Sequence, residues 1–516
     1  MKNFYQEGPS LTNTYRADET LQKFLKKVLP ADVQKTALPH LDHLGERAAT
    51  DMLAWAAEAE AQPPQHVPFD PWGRRIDEIK TSNGWKELEK VAATEGIVAT
   101  AYDRKFGAFS RVYQMALLYL YSPSSAIFSC PLAMTDGAAR ALELYAGNDL
   151  KERAMPHLLS RDPKTFWTAG QWMTERTGGS DVSGTSTDAL PYSGESAFSA
   201  THALHGTKWF TSATTSQMAL TLSRPEGAPA GSKGLSLFYL ELRNKQGQLN
   251  NIQIHRLKDK LGTKALPTAE LSLQGTPARI VGGEGDGIKK IASVLNITRI
   301  YNSICALGHM RRALDLIQDY SRKRKAFGKL LIDHPLHRET LHALEEDFRR
   351  CFAFSFFVAH LLGQEEVGEI SASQRVLLRS LTPILKLYTA KKSIHISSEV
   401  IEMFGGAGYV EDTGLPRLLR DAQVFSIWEG TTNVLSLDML RAFEKEQALP
   451  ILMEYFKNCK AMKDSVPNFV DKWTVFQKQI GSLAKGSPEE WETHARRLAF
   501  MVGDLMCESL IHEYSL

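Results

Sequence analysis

The chain has 516 residues, 43% of them hydrophobic, which is too many for one compact core and enough for several packed layers that share an interface around a large ligand. A formal charge of +2 with 23% charged residues gives no strong overall field, which argues against a generic nucleic-acid binder and fits a metabolic enzyme. Cys130, Cys305, Cys351, Cys459 and Cys507 are odd in number, scattered and without CxxC spacing, which points away from a disulfide framework or a zinc site and toward a reducing compartment.

No membrane span is expected, because no stretch approaches about 20 uninterrupted apolar residues. The N-terminal "MKNFYQEGPSLTNTYRADE" has no secretory core and too many acids for a transit peptide, and the final "YSL" is not a clear peroxisomal address. The expected location is cytoplasmic or mitochondrial.

Residues 15–160 read as helices: "ETLQKFLKKVLP", "RAATDMLAWAAEAEA", "RVYQMALLYLY" and "GAARALELYA" repeat apolar residues at three and four. From about 166 to 280 the period falls to two, as in "MALTLSR", "GLSLFYLEL" and "AELSLQG", and turn-rich runs such as "SRPEGAPAGSKG" intervene. This predicts antiparallel strands. After "VGGEGDG", Ile291, Val294, Leu295, Ile300, Ile304, Leu307, Leu314 and Ile317 mark one side of a helix of about thirty residues, a length usual in bundles. Two more long helices are predicted near 336–363 and 372–404, then a break at "FGGAGY" and a helix from near Thr432. A helical tail follows Pro450, with "GSPEEW" as a capped start at Ser487. The closing "IHEYSL" lies within a continuing amphipathic pattern, which leaves open a longer natural chain. The expected organisation is α+β and multidomain: a helical domain over 1–165, a β domain over 166–285, a helical bundle over 286–446 and a helical tail over 447–516.

Several motifs carry possible chemistry. In "FSIWEGTTNV", 425–434, an apolar run stops at Glu429 and turns through Gly430; alone, this is how many helices end. The run "QWMTERTGGSDVSGTST", 171–187, sets Gly178, Gly179 and Ser180 beside Thr174, Ser183, Thr185 and Ser186. Amides freed by glycine, with hydroxyls, can hold a phosphate or the polar edge of a heterocycle, and the same composition suits a hairpin turn. There is no GK[ST] and no preceding βα crossover, so neither a Walker loop nor a dinucleotide fingerprint is present. "GTKWFTSA", 206–213, offers an aromatic pair and Ser212 as a wall for a flat ring or as sheet core. "YSRKRKAFGKLL", 320–331, would suit a phosphate with an adenine on Phe327, or simply complement a helix C-terminus. His334, His337 and His342 lack HExxH spacing and Pro335 interrupts their face, so no metal is expected; no GxSxG elbow exists either.

In order, "MTERTGGSD", "GTKWF", "LGTKALPTAEL", "RKRKAFGKLL", "FGGAGY" and "RDAQVFSIWEGTTNV" make the chain resemble the acyl-CoA dehydrogenase family over about residues 90 to 445. "FSCPLAMT", "SIWEGT" and the tail resemble its alkylation-response, AidB-type branch. The resemblance implies an N-terminal helical domain, a central antiparallel β barrel and a C-terminal four-helix bundle plus the extra tail, with FAD held where they meet and across a subunit boundary. It implies a flavin site at Met173, Thr174, Ser180, Phe210 and Ser212, adenosine contacts to a neighbouring subunit's FAD from Arg324 and Phe327, backbone approach at Gly405 and Gly406, and cofactor contacts at Thr431 and Asn433. Ser180, Arg299 and Gly430 would lie on the substrate side, and Glu429 would be the base that removes the α-proton of a fatty acyl-CoA, with Ile427 and Trp428 as apolar surroundings raising its pKa.

The implied protein is a homotetrameric FAD-dependent dehydrogenase that passes electrons to an electron-transfer flavoprotein; an oxidase is not separable by sequence. Departures from the family pattern at Arg176, Thr177, Asn296, Pro335 and Glu402 alter the acyl and CoA surfaces more than the flavin site. The alternative from another class is a flavin-containing protein that sequesters an acyl ligand or associates with nucleic acid. Against nucleic acid, residues 451–516 are close to neutral, with only Lys457, Lys460, Lys463, Arg496 and Arg497 as notable clusters.

Overall fold

The computed structural model describes residues 5–516. The chain forms two compact units that interleave in sequence: one comprises the segment ending at Thr50 with Asp103–Pro123 and Arg299–Leu516, the other Asp51–Tyr102 with Ser124–Thr298.

The second unit is built on seven strands: β3 (Ala169–Trp172), β4 (Asp188–Pro191), β5 (His202–Ser212), β6 (Met218–Pro225), β7 (Ser236–Glu241), β8 (Ile252–Leu257) and β9 (Thr268–Ile280). β6 pairs with β4, β4 with β5, β5 with β9, β9 with β7, and β7 again with β6, so five strands close a barrel without an edge. The barrel is antiparallel except where β4 meets β6, and β3 also joins β6 parallel. Period-two patterning specifies a strand's faces but not its neighbour's direction, which is why these parallel pairs are absent from the sequence reading. Alternate residues of β6 and β7 serve two cores. Ala219, Phe238 and Leu240 pack with Ala189, Leu204 and Leu271. Met218, Leu220, Leu222, Leu237 and Tyr239 pack against Ala138, Leu142, Leu150 and Ala154 of the helices Ser129–Tyr145 and Asn148–Leu158.

The same unit holds a hairpin inside the region read as purely helical: β1 (Gln65–Phe69) and β2 (Arg75–Lys80) are antiparallel. Asp70-Pro71-Trp72-Gly73 supplies its turn. The Asp70 carboxylate accepts from the Trp72 and Arg74 amides at 2.9 Å, and Gly73 takes φ 83°.

The first unit is helical. Pro335–Glu366 packs on Ala372–Met403, which packs on Thr432–Lys445, and the long helix Gly287–Ser321 contributes everything from Arg299 onward. These are the predicted bundle helices, with bounds within a few residues of those expected. Arg311 ties Gly287–Ser321 to Pro335–Glu366 through Glu345 at 2.8 and 2.9 Å. The tail is a packed part of this unit. Its final helix, Pro488–Tyr514, starts at Ser487 with the expected capping box and lies on three bundle helices. Close approach there requires Gly503: a Cβ would stand 2.5 Å from the Tyr388 ring, whose hydroxyl donates to Asp504 at 2.8 Å. Tyr514 packs edge-on against Phe24, centroids 5.0 Å apart.

Candidate active site

The loop carrying Glu429 joins two helices of the first unit. Pro416–Phe425 ends as the amides of Ile427 and Trp428 bond back to the Val424 carbonyl at 2.9 and 3.2 Å. Glu429 and Gly430 then both take left-handed conformations, φ 58° and 106°, and Thr431 is the N-cap of Thr432–Lys445. The turn is therefore not glycine's alone; a glutamate in this region costs about 1–2 kcal/mol and persists only where its surroundings hold it. A Cβ on Gly430 would meet Leu435 at 3.0 Å.

Three side chains from two bundle helices hold this loop. Arg299 Nε donates to the Glu429 carbonyl at 3.2 Å, and Lys386 Nζ donates to the Gly430 carbonyl at 2.7 Å. Asn302 donates to the Phe425 carbonyl at 3.1 Å and accepts from the Trp428 indole N–H at 2.6 Å. Arg299 is itself anchored: Asp438 accepts from Arg299 and from Arg379, each at 2.7 Å. Burial works to raise the Asp438 carboxyl, but the two guanidiniums hold it below the usual range. Lys386 is fully buried, and burial pushes it down to about 7; the Glu429 carboxylate opposes that shift while Arg299 and Lys391 add to it. Ile427, expected to line an apolar pocket, is 60% exposed, and Trp428 is turned to Asn302, so within this unit the strongest feature near Glu429 is positive charge.

Thr431 and Asn433 are exposed at the start of the next helix, where Asn433 accepts from Arg496 of the tail at 3.2 Å. Arg324 and Phe327 lie elsewhere in this unit, at and within a small hairpin, Lys325–Ala326 with Lys329–Leu330. Phe327 stands at its tip, 98% exposed. Gly405 and Gly406 follow Phe404, which packs on Tyr320, four residues before Arg324. Both glycines are exposed with nothing within 4 Å of an added Cβ, so backbone there is open to close approach.

The second unit gathers the remaining candidates. Met173 and Thr174 extend β3; the Thr174 carbonyl accepts from the Trp209 amide at 3.0 Å, and the Thr174 hydroxyl lies 2.7 Å from where Gly179 would carry a Cβ. Ser180 is exposed on the loop that follows. Phe210 is exposed on β5, and Ser212 ends that strand within 3.1 Å of the Thr268 hydroxyl. The loop's two ends are joined by a buried pair that the sequence reading did not single out. Glu175 accepts from Lys208 at 2.8 Å, from the Ser186 amide and hydroxyl at 2.7 Å, and from the Thr187 amide and hydroxyl at 3.2 and 2.5 Å. Burial would raise the Glu175 carboxyl, but the Lys208 ammonium and these donors hold it at about 2.

Lys386 and Lys208 carry the same signal in sequence, a lone cation inside an apolar run ("PILKLY", "GTKWF"), which marks a buried partner without naming it. Asn302 and Asp438 carry no local signal.

This donor set suits a flavin. On the second unit a braced loop with hydroxyls and glycine amides adjoins an exposed aromatic face, and the buried Gln171 side-chain oxygen, two residues before Met173, has no hydrogen-bond partner. A heterocycle with donor and acceptor edges would satisfy both features.

The fold and these sites define a flavoprotein dehydrogenase scaffold. Residues 285–443 match the acyl-CoA dehydrogenase C-terminal domain, 170–276 its middle domain, and 9–163 the adaptive response protein AidB N-terminal domain. Acyl-CoA dehydrogenase family member 11 of Caenorhabditis elegans is 42% identical over 99% of this chain and 86% of its own. Among solved structures, Bd2924 in its apo form superposes with a TM-score of 0.96 at 76% identity, covering 100% of both chains. That of Caenorhabditis elegans ACDH-11 in complex with C11-CoA gives 0.94 at 41% identity, covering 100% of this chain and 90% of that one. The chain belongs to the acyl-CoA dehydrogenase family, in its AidB-type branch. That family is FAD-dependent. Among the described residues no helix is long and apolar enough to cross a membrane.

Proposed function

We propose that this protein catalyses α,β-dehydrogenation of a fatty acyl-CoA thioester with Glu429 as the proton-abstracting base. The observation that carries the reading is the left-handed Glu429–Gly430 turn, held by donors to the carbonyls of both residues. A strained carboxylate-bearing turn fixed from two helices is how a scaffold maintains a base at one position, and an α-C–H beside a thioester is acidic enough only for a base so placed. Glu429 would take the α-proton, and FAD, when bound, would supply the acceptor for the β-hydride, leaving a trans-enoyl thioester. The Glu429 amide is the group this chain would turn toward the thioester carbonyl, with Ser180 and Arg299 on the substrate side.

Met173, Thr174, Ser180, Phe210 and Ser212 would hold the flavin and its phosphates, and Thr431 and Asn433 would meet the cofactor from the helix after the base. Arg324, Phe327, Gly405 and Gly406 would serve a neighbouring subunit's adenosine. Support for that last assignment is the bare Phe327 and the open glycine turn, which suit a homotetramer in which each subunit completes another's site. Residues 1–165, 166–285, 286–446 and 447–516 would be the working domains. An electron-transfer flavoprotein is the acceptor the family resemblance suggests. The protein would work in the cytoplasm or the mitochondrion, as the scattered cysteines of the sequence suggest.

The substrate class is supported by the relative solved with C11-CoA. The deciding experiment is anaerobic titration of the FAD-loaded protein with acyl-CoAs from short to long chain, following flavin absorbance, beside Glu429→Gln. Bleaching abolished by Gln supports the assignment; tight binding without bleaching at any chain length replaces it with acyl-ligand sequestration.

A further inference from the structure

Lys386 lies in the apolar interior of the helix Ala372–Met403, between Leu385 and Leu387, and is fully buried. A buried ammonium is costly unless paired and hydrogen-bonded, and this one spends its hydrogen bond on a single backbone oxygen, the Gly430 carbonyl at 2.7 Å. A lysine kept only for packing is replaceable by an apolar side chain of equal length at no cost. Here the charge sits instead against the left-handed turn that carries the candidate base.

We propose that Lys386 is a positioning residue for the base: its ammonium holds the Gly430 carbonyl, thereby fixing the left-handed turn, and supplies positive charge that favours the ionised Glu429 carboxylate. The inference rests on the reading of Glu429 as the base. The charged groups facing Lys386 are Glu429 on the loop, Arg299 on the neighbouring helix and Lys391 on its own helix. Arg299 is already committed to Asp438 and to the Glu429 carbonyl, whereas Lys386 donates to the turn itself, at the Gly430 carbonyl. Its ordinary pKa is displaced to about 7 by burial, so its charge is sensitive to the environment near neutrality.

The test uses the FAD-loaded Lys386→Met, Lys386→Arg and Glu429→Gln proteins and anaerobic rapid mixing with C11-CoA across roughly pH 6 to 9. Lys386→Met is expected to retain FAD and acyl-CoA binding, to bleach at least about tenfold more slowly, and to move the acid limb of the pH profile upward, because loss of a nearby positive charge makes a carboxylate harder to ionise. Lys386→Arg is expected to restore the acid limb to its original place. An unshifted acid limb with near-native rate in the Met protein overturns the inference. If the Met protein fails to hold FAD, Lys386→Gln takes its place under the same two criteria. Bleaching that survives in Glu429→Gln overturns the base assignment itself; bleaching lost there but unmoved in the lysine variants overturns only the role of Lys386.

Discussion

Lys208→Met is the most informative perturbation of the barrel unit, because it removes one partner of a pair whose geometry is fully specified. Both side chains are buried, Lys208 completely and Glu175 to within 3% exposure, and the carboxylate receives five bonds in all. Removing the cation leaves a buried carboxylate without its charge partner, a loss of about 3–5 kcal/mol. The carboxyl's own titration gives a similar size: held at about 2 against an ordinary 4.5, it contributes about 3 kcal/mol when ionised. The sign follows from the depressed value. That stability is fully present above about pH 4.5 and is lost as pH falls toward 2.

For a unit of this size a loss of that order lowers Tm by roughly 6–20 °C. Calorimetry of the native protein, the Met variant, Glu175→Gln and the double variant provides the assay. The double variant should recover part of the loss, because an apolar side chain facing an uncharged amide leaves no buried charge unpaired. FAD retention should fall in the single Met variant in parallel, since Glu175 ties together the two ends of the loop that bears Ser180. A Tm change below about 2 °C, or equal losses in the Met variant and the double variant, would refute the claim that the pair braces this loop.

Glu429→Gln should lower the flavin-bleaching rate by at least about 10²-fold with acyl-CoA affinity largely kept, as read by stopped-flow absorbance. Gly430→Ala places a Cβ 3.0 Å from Leu435 at φ 106°, and is expected to cost about 1–3 kcal/mol and slow bleaching; an unaltered rate would show that the turn is not essential. Gly503→Val, which drives a side chain into Tyr388, should loosen the last helix, detectable as faster limited proteolysis of residues 488–514 with the barrel untouched. Asp438→Asn should destabilise the bundle by roughly 2–4 kcal/mol in chemical denaturation, because two guanidiniums lose their shared carboxylate.

Residue spacing alone determined most of the elements. The helices Gly287–Ser321, Pro335–Glu366 and Ala372–Met403 follow from apolar residues at three and four, and Ser487 is legible as a cap because capping needs only its own next three residues. The hairpin 65–80 is missing from the sequence reading: "DPWG" and "RIDEIK" are short turn and strand signals lying between longer helical patterns. Glu429 stands out as the candidate base through motif order, a property of the chain read end to end.

What surrounds Glu429 was decided only by tertiary structure. Arg299, Lys386 and Asp438 are separated by tens of residues and meet because three helices pack side by side; no local period records that encounter. Likewise Glu175 and Lys208 lie 33 residues apart, and only barrel closure brings the ammonium under the loop. Local sequence encodes which face of an element is apolar, through the hydrophobic effect and steric preference. Which buried charge meets which depends on the register of packed elements, a balance of desolvation against pairing that exists only once the chain has folded.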